Sequence, residues 1–95
     1  MAKLAIIATI KTAQGKRDEY LTHLAAHRAR CLAKEPTTLQ FEMLLPHEEP
    51  DTVMLYELYA SKDAFDAHRN GESVQPVRRA HLFLPRWNRK QRVEI

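Results

Sequence analysis

Four segments of the chain have hydrophobic patterns typical of β-strands, either alternating with polar positions or apolar on both faces. The first, Lys3 to Ile10, is apolar in both of its alternating sets, so both of its faces should be covered. Leu39 to Leu45 places apolar residues at every second position, and Val53 to Ala60 is again apolar on both faces. The end of the chain, Trp87 to Ile95, predicts a fourth strand.

Two segments have helical periodicity. The longer predicted helix runs from Lys16 to Ala33 and stops before Glu35-Pro36, because proline disfavours a helical residue before it. Its apolar stripe is formed by Tyr20, Leu21, Leu24, Ala25, Cys31 and Leu32. The shorter helix runs from Lys62 to Asn70, with Ser61 as its N-cap.

The stretch from Ser73 to Leu84 has mixed signals. It predicts at most a further helical turn or two, around Val77, Ala80 and His81. Pro85 should end whatever precedes it.

The predicted order is β-α-β-β-α-β, which is the ferredoxin-like α+β arrangement. Two helices then cover one face of a four-stranded antiparallel sheet and explain one apolar face of each strand. The chain has no further element to cover the second apolar face. A homodimer that packs sheet against sheet is the simplest solution.

Length and cysteine content narrow the class of protein. Ninety-five residues predict a single domain spanning positions 1–95. Cys31 is the one cysteine, which excludes an internal disulfide and suits a reducing compartment; inside a helix it is most simply a small buried hydrophobe. The apolar run near the N-terminus is too short to span a membrane, so we expect a cytoplasmic protein with no membrane partner.

The net charge of +3 is unevenly distributed. Residues 76–95 contain six basic residues against Glu94 alone, which gives this tail about +5 and the rest of the chain about −2. Phe83 and Trp87 are the aromatic residues among these charges, and no nucleic-acid motif accompanies them. We therefore expect a solvated edge or a subunit contact, and no nucleic-acid partner.

The segment from Thr52 to Gly71 contains the clearest candidate chemistry. Its strand ends in Tyr56, Glu57 and Tyr59, three polar-tipped side chains that are costly to bury without partners. By the period-two rule, Glu57 and Tyr59 share one face and Tyr56 lies on the other. Phe65 and His68 are three apart on the following helix and share a face. The pattern predicts a small-molecule pocket between this strand and this helix.

The chain resembles the antibiotic biosynthesis monooxygenase superfamily of dimeric α/β-barrel proteins over roughly residues 3–71, most clearly in two stretches, LYELYASKDAFDAHRNGES and HRARCLAKEPTTLQFEML. The likeness lies in a strand ending in Tyr-Glu-x-aromatic, followed by an Ala-Phe-x-x-His helix. The resemblance implies a pocket between sheet and helices. Several relatives use that pocket to oxidise quinols or polyketide aromatics with molecular oxygen and no bound cofactor, others degrade haem, and others isomerise a small phosphorylated, sugar-like signal.

A cofactor-free oxygenase needs a base, hydrogen-bond donors for the substrate anion and an apolar enclosure. We interpret His68 as the base, because histidine titrates near neutral pH. Glu57 could orient that imidazole or act as the base itself, and Tyr59 is the candidate donor. The candidate substrate-binding residues are Phe65, Phe41, His27 and Tyr56, each of which could instead be ordinary core or interface.

His23 and His27 are one helical turn apart, a weak metal signal without a third ligand, so we expect no metal and no cofactor.

Three alternatives to the cofactor-free oxygenase stay open. Haem-degrading relatives use an asparagine in the first strand, where this chain has none, so haem degradation is the weaker hypothesis. An isomerase or binding protein for a small polar or phosphorylated metabolite could use Arg86 or Arg89 as anion contacts. A non-catalytic dimer with a filled core is the third.

Overall fold

Four strands form one antiparallel sheet in the computed structural model, which describes residues 2–76 and 85–95, with the backbone alone for residues 85–88. The strands are β1 (Leu4–Thr12), β2 (Thr38–Leu44), β3 (Thr52–Tyr59) and β4 (Pro85–Glu94), in the spatial order β2-β3-β1-β4. Every neighbouring pair is antiparallel. This is the sheet order of the ferredoxin-like fold.

Helix α1 (Arg17–Lys34) connects β1 to β2, and helix α2 (Lys62–Arg69) follows β3. A short 3-10 helix, Glu72–Val74, comes next. The β-α-β-β-α-β prediction is confirmed, and the helices and strands agree with their predicted bounds to within two residues at each end. The predicted turn around Val77, Ala80 and His81 lies outside the described residues, as do Arg78, Arg79 and Phe83.

The core lies between the helices and one face of the sheet. One cluster joins Tyr20 and Leu24 of α1 to Ala8 and Ile10 of β1 and to Phe41 of β2. A second joins β1 and β3 to α2 through Leu4, Ile6, Tyr59 and Phe65. Alternate residues of each strand therefore face the helices, which is what the period of two requires.

The buried stripe of α1 differs from the predicted one. Tyr20, Leu24 and Cys31 are buried as expected, but Ala25 is exposed and Leu32 is 39% exposed. His27 is buried in the stripe, one turn after Leu24, because it faces a polar partner across the core. Among the described residues, no helix is both long and apolar enough to cross a membrane.

A bulge modifies the predicted alternation of β2. Thr38 pairs with Tyr59 and Gln40 with Leu58, so Leu39 is an extra residue on this edge strand. As a result Thr38 and Phe41 are both buried against the helices, whereas Leu39 is 41% exposed. The expectation that Leu39 shares the face of Phe41 was wrong for this reason.

The second face of the sheet is apolar in its two central strands, as expected. On β1 and β3 it is formed by partly or fully buried side chains, namely Ala5, Ile7, Met54, Tyr56 and Leu58. Leu44 of β2 and Val93 of β4 are 47% and 43% exposed at its edges. No helix of the described chain packs over this face.

Candidate active site

His68 is held in the last turn of α2 by two elements of the fold. Ser61 caps the helix by accepting a hydrogen bond from the Ala64 amide at 3.1 Å, which fixes where α2 begins. At the other end of the helix, His68 is buried and its Nδ1 lies 2.7 Å from Oε1 of Glu35. Glu35 follows α1, and Thr38 also donates to its Oε1 at 3.0 Å.

The electrostatics of this pair favour an ionised carboxylate. Burial raises the pKa of Glu35, but hydrogen bonds from His68, Ser73 and Thr38 outweigh it and bring the pKa below its ordinary value. An ionised Glu35 accepts the Nδ1 proton of His68. In neutral imidazole the other nitrogen, Nε2, is then a proton acceptor.

Glu57 and Tyr59 form a second buried pair, on the helix-facing side of β3. The Tyr59 hydroxyl donates to Oε1 of Glu57, as the predicted shared face allows. Burial raises the pKa of Glu57, an effect that the Tyr59 hydrogen bond only partly offsets. Burial and the neighbouring Glu57 charge both raise the pKa of Tyr59, which keeps its phenol protonated.

His27 and Cys31 lie beside His68 on the buried face of α1. The His27 ring is within hydrogen-bond distance of the Ser73 carbonyl oxygen, with Nδ1 3.0 Å away, and burial lowers its pKa to about 4. His27 is therefore neutral at pH 7. The Cys31 Sγ is 3.6 Å from His27 Nε2 and 3.8 Å from His68 Nδ1, and burial raises the pKa of this thiol to about 12.

These three residues are the described group that could hold a metal ion. The ligand atoms of His27, Cys31 and His68 all lie within 4.8 Å of one another, and the donor set suits a thiophilic metal such as zinc. However, each Nδ1 already has a partner, Ser73 or Glu35, and no buried side-chain nitrogen or oxygen in the described chain lacks a hydrogen bond. A metal would therefore have to bind through Nε2 of each histidine and through a Cys31 thiolate, whereas burial raises the pKa of that thiol. His23, the other member of the predicted pair, is exposed.

A cavity of about 320 Å³ opens between the sheet and the helices at this point. Its apolar wall includes Ile6, Leu24, Phe41, Leu55 and Phe65. Its polar wall is formed by His27, Glu57, His68, Arg69, Lys90 and Arg92. The Phe65 and His68 rings stack with centroids 6.5 Å apart, so an aromatic surface flanks the imidazole.

The structure brings most of the predicted site residues together. His68, Glu57, Phe65, Phe41 and His27 all line the cavity. Tyr59 is fully buried and is not among the described lining residues; its hydroxyl group donates a hydrogen bond to Glu57, which does line the cavity.

Three expectations need correction. Tyr56 does not line the cavity, because it lies on the opposite face of β3 from Glu57. Glu57 does not hold His68; Glu35 does, and sequence reasoning assigned Glu35 no role beyond the end of a helix. Arg89, one of the two expected anion contacts, lies on the face of β4 opposite the cavity, because it pairs with Thr9 of β1; the side chain of the other, Arg86, lies outside the described residues.

The cations at the cavity are instead Lys90 and Arg92. They alternate with Arg89 along β4 and pair with Ala8 and Ile6, two helix-facing residues of β1. A one-residue difference in register is enough to exchange the two faces.

Comparison with known proteins defines the class to which this fold and site belong. Residues 4–80 match the family model for antibiotic biosynthesis monooxygenase. The chain belongs to this family. A comparison with curated proteins finds no match.

Solved structures agree on the fold. A Caulobacter crescentus protein assigned to the antibiotic biosynthesis monooxygenases superposes with a TM-score of 0.92 at 21% identity, over 99% of this chain and 90% of that one. A Pseudomonas aeruginosa protein, PA3566, superposes with a TM-score of 0.89 at 21% identity, over 100% of this chain and 95% of that one. A Nitrosomonas europaea protein, also assigned to the antibiotic biosynthesis monooxygenases, superposes with a TM-score of 0.89 at 15% identity, over 98% of this chain and 89% of that one. At these identities the likeness shows the fold alone.

Proposed function

We propose that the protein is a cofactor-independent monooxygenase that oxidises a quinol or a related electron-rich aromatic molecule. The observation that supports this most directly is the Glu35–His68 pair beside an apolar-walled cavity. A carboxylate that orients an imidazole through Nδ1 is a well-understood way to prepare Nε2 as a general base. The family to which the chain belongs is consistent with oxygenase chemistry.

The proposed reaction begins when His68 removes the proton of a substrate phenol. The resulting anion is electron-rich and transfers one electron to molecular oxygen, which gives a substrate radical and superoxide. Their combination forms a carbon–oxygen bond and, after proton return from the imidazolium, a hydroperoxide. Loss of water then leaves a carbonyl, so that a quinol and O2 give a hydroxyquinone and H2O.

The other residues at the cavity have supporting roles in this scheme. Phe65 and Phe41 offer ring surfaces to an aromatic substrate. The raised pKa of Glu57 makes it a candidate proton donor to the developing peroxide, and Tyr59 holds its carboxyl group in place. Neutral His27 adds a polar ring nitrogen without adding a charge.

A second function is favoured by Lys90 and Arg92 at the same cavity. Two cations near a histidine base would also suit an isomerase, or a binding protein, for a small phosphorylated metabolite. Oxygen separates the two proposals. We expect metal-stripped protein to consume O2 with at least one quinol or hydroxyanthrone; turnover that continues without oxygen would instead support the isomerase.

The active form is proposed to be a homodimer formed through the uncovered sheet face, in a reducing cytoplasmic compartment that suits the lone Cys31. Burying the apolar side chains of this face against a second copy removes them from water. Tyr56→Arg would place a charge at the middle of the interface and should yield monomers in sedimentation velocity. Ala26→Arg, on the exposed side of α1, is the matched control and should stay dimeric.

A further inference from the structure

The cavity has two chemically different sides. Glu57 projects from β3 and pairs in register with Ile6 of β1, which pairs on its other side with Arg92 of β4. Adjacent strands are about 4.8 Å apart, so the backbones of Glu57 and Arg92 are roughly 10 Å apart across the cavity floor. The acid–base groups therefore lie on one side and the β4 cations on the other.

The position of Arg92 suits it to bind a ligand. Its guanidinium carbon lies 5.2 Å from the centre of the Phe65 ring, a cation–π contact at the cavity wall. This contact holds the planar group beside the aromatic surface that flanks His68. The side chains of Arg92 and Lys90 are exposed, and among the described residues no carboxylate lies within ion-pair distance of either.

The positive side is reinforced by a second element. Arg69, at the end of α2, also lines the cavity, with its guanidinium carbon 5.8 Å from the centre of the Phe65 ring. Lys90 is close enough to Glu57 for its charge to act on that carboxyl group. Three cations from two elements thus surround one side of a cavity whose lining carboxylate is Glu57, on the other side.

We propose that the substrate is an anionic aromatic: a phenol whose ring also carries a carboxylate or a phosphate. Arg92, assisted by Lys90, binds the anionic group, and the phenol faces His68. A guanidinium binds a carboxylate or phosphate through two parallel hydrogen bonds. These bonds would raise the affinity of the cavity for the substrate and fix the orientation of the substrate ring. The role given to the phenol rests on the proposed oxygenase function, but binding of the anionic group can be tested without turnover.

The test is calorimetric titration under anaerobic conditions with 2,5-dihydroxybenzoate and with its methyl ester, which has the same quinol and no charge. We expect wild-type protein to bind the acid at least tenfold more tightly than the ester. Arg92→Gln should weaken binding of the acid at least tenfold and leave the ester unchanged. Arg89→Gln, the neighbouring residue on the other face of β4, should change neither. A parallel titration with 4-hydroxyphenyl phosphate decides between carboxylate and phosphate as the anionic group.

Equal binding of acid and ester by wild-type protein would overturn the proposal, as would no binding of either anion or an equal loss in Arg89→Gln. The side chain of Arg92 is exposed, so a thermal melt should confirm that the variant is folded. Failure of the oxygenase proposal gives a different result. In that case the acid binds and its binding depends on Arg92, but no O2 is consumed.

Discussion

The carboxylate of Glu35 lies 2.7 Å from Nδ1 of His68, although the two residues are 33 positions apart in the chain. The contact joins the end of α1 to the end of α2. It fixes Nδ1 as the protonated nitrogen of the neutral imidazole and leaves Nε2 as the nitrogen that can accept a proton. Glu35 is thus a positioning residue for the proposed base.

Glu35→Gln should lower kcat for oxygen uptake by roughly 10²-fold, because the amide keeps the size of the side chain but not the charge that stabilises the imidazolium formed in the reaction. KM should change little, since Glu35 is not in the cavity lining. Glu35→Asp should recover part of the rate, and Glu48→Gln in the exposed turn before β3 is the matched control. A loss confined to KM, or an equal loss in the control, would contradict the role given to Glu35.

His27 should make the free energy of unfolding depend on pH between about 4 and 6.5. Its folded pKa is about 4 against an ordinary 6.5, so within this interval the unfolded chain binds more protons and stability is lost as the pH falls. The difference corresponds to about 3 kcal/mol at 1.36 kcal/mol per pKa unit. His27→Asn should remove this dependence in urea titrations at several pH values.

The exposed histidine of the same helix provides the control. His23→Asn removes an exposed histidine and leaves His27 in place, so the pH dependence that His27 causes should remain. Parallel stability curves for wild type and His27→Asn would show that His27 is not held neutral by burial.

Glu57 should make the free energy of unfolding depend on pH with the sign opposite to that of His27. Its folded pKa is raised, so the folded chain binds more protons above the ordinary pKa of 4.5, and stability is lost as the pH rises through the raised value. Glu57→Gln cannot ionise, and its amide oxygen can still accept from Tyr59. The melting temperature of Glu57→Gln relative to wild type should therefore increase from pH 4 to pH 8. A difference that stays constant from pH 4 to pH 8 would contradict the raised pKa of Glu57.

Cys31 separates a metal-dependent mechanism from the proposed one. The thiol is protonated and packs as a small apolar group, so Cys31→Ala should cost about 1 kcal/mol of stability and leave oxygen uptake within about threefold of wild type. Chelator treatment should have no effect on either protein. If the variant lost its activity together with bound metal, measured by elemental analysis, the His27, Cys31 and His68 group would be a metal centre.

Local sequence patterns were sufficient to predict the fold and the face that residues of the two central strands, β1 and β3, use. Apolar runs and alternating positions located the strands, and the two-residue spacing of Glu57 and Tyr59 predicted their shared face, which their hydrogen bond confirms. The bulge at Leu39 could not be predicted, because it depends on how β2 pairs with β3 and not on β2 alone.

The partner of His68 could not be found in the same way. Glu35 precedes a proline at the end of a helix, where an exposed acidic residue is ordinary, and the packing of α1 beside α2 is what brings it to the imidazole. The β4 cations illustrate the same limit. Whether Arg89 or Arg92 faces the cavity depends on the register of β4 against β1, which the tail sequence does not specify.

Whether His68 is the catalytic base is tested first by comparing oxygen uptake of His68→Ala and His23→Ala in metal-stripped protein, with the best quinol substrate of the wild type. Both variants remove one histidine, but only His68 lies at the cavity beside Glu35. If His68 is the base, folded His68→Ala should lose at least 100-fold of the wild-type rate and His23→Ala should keep it. Oxygen uptake by His68→Ala at the wild-type rate would contradict this role.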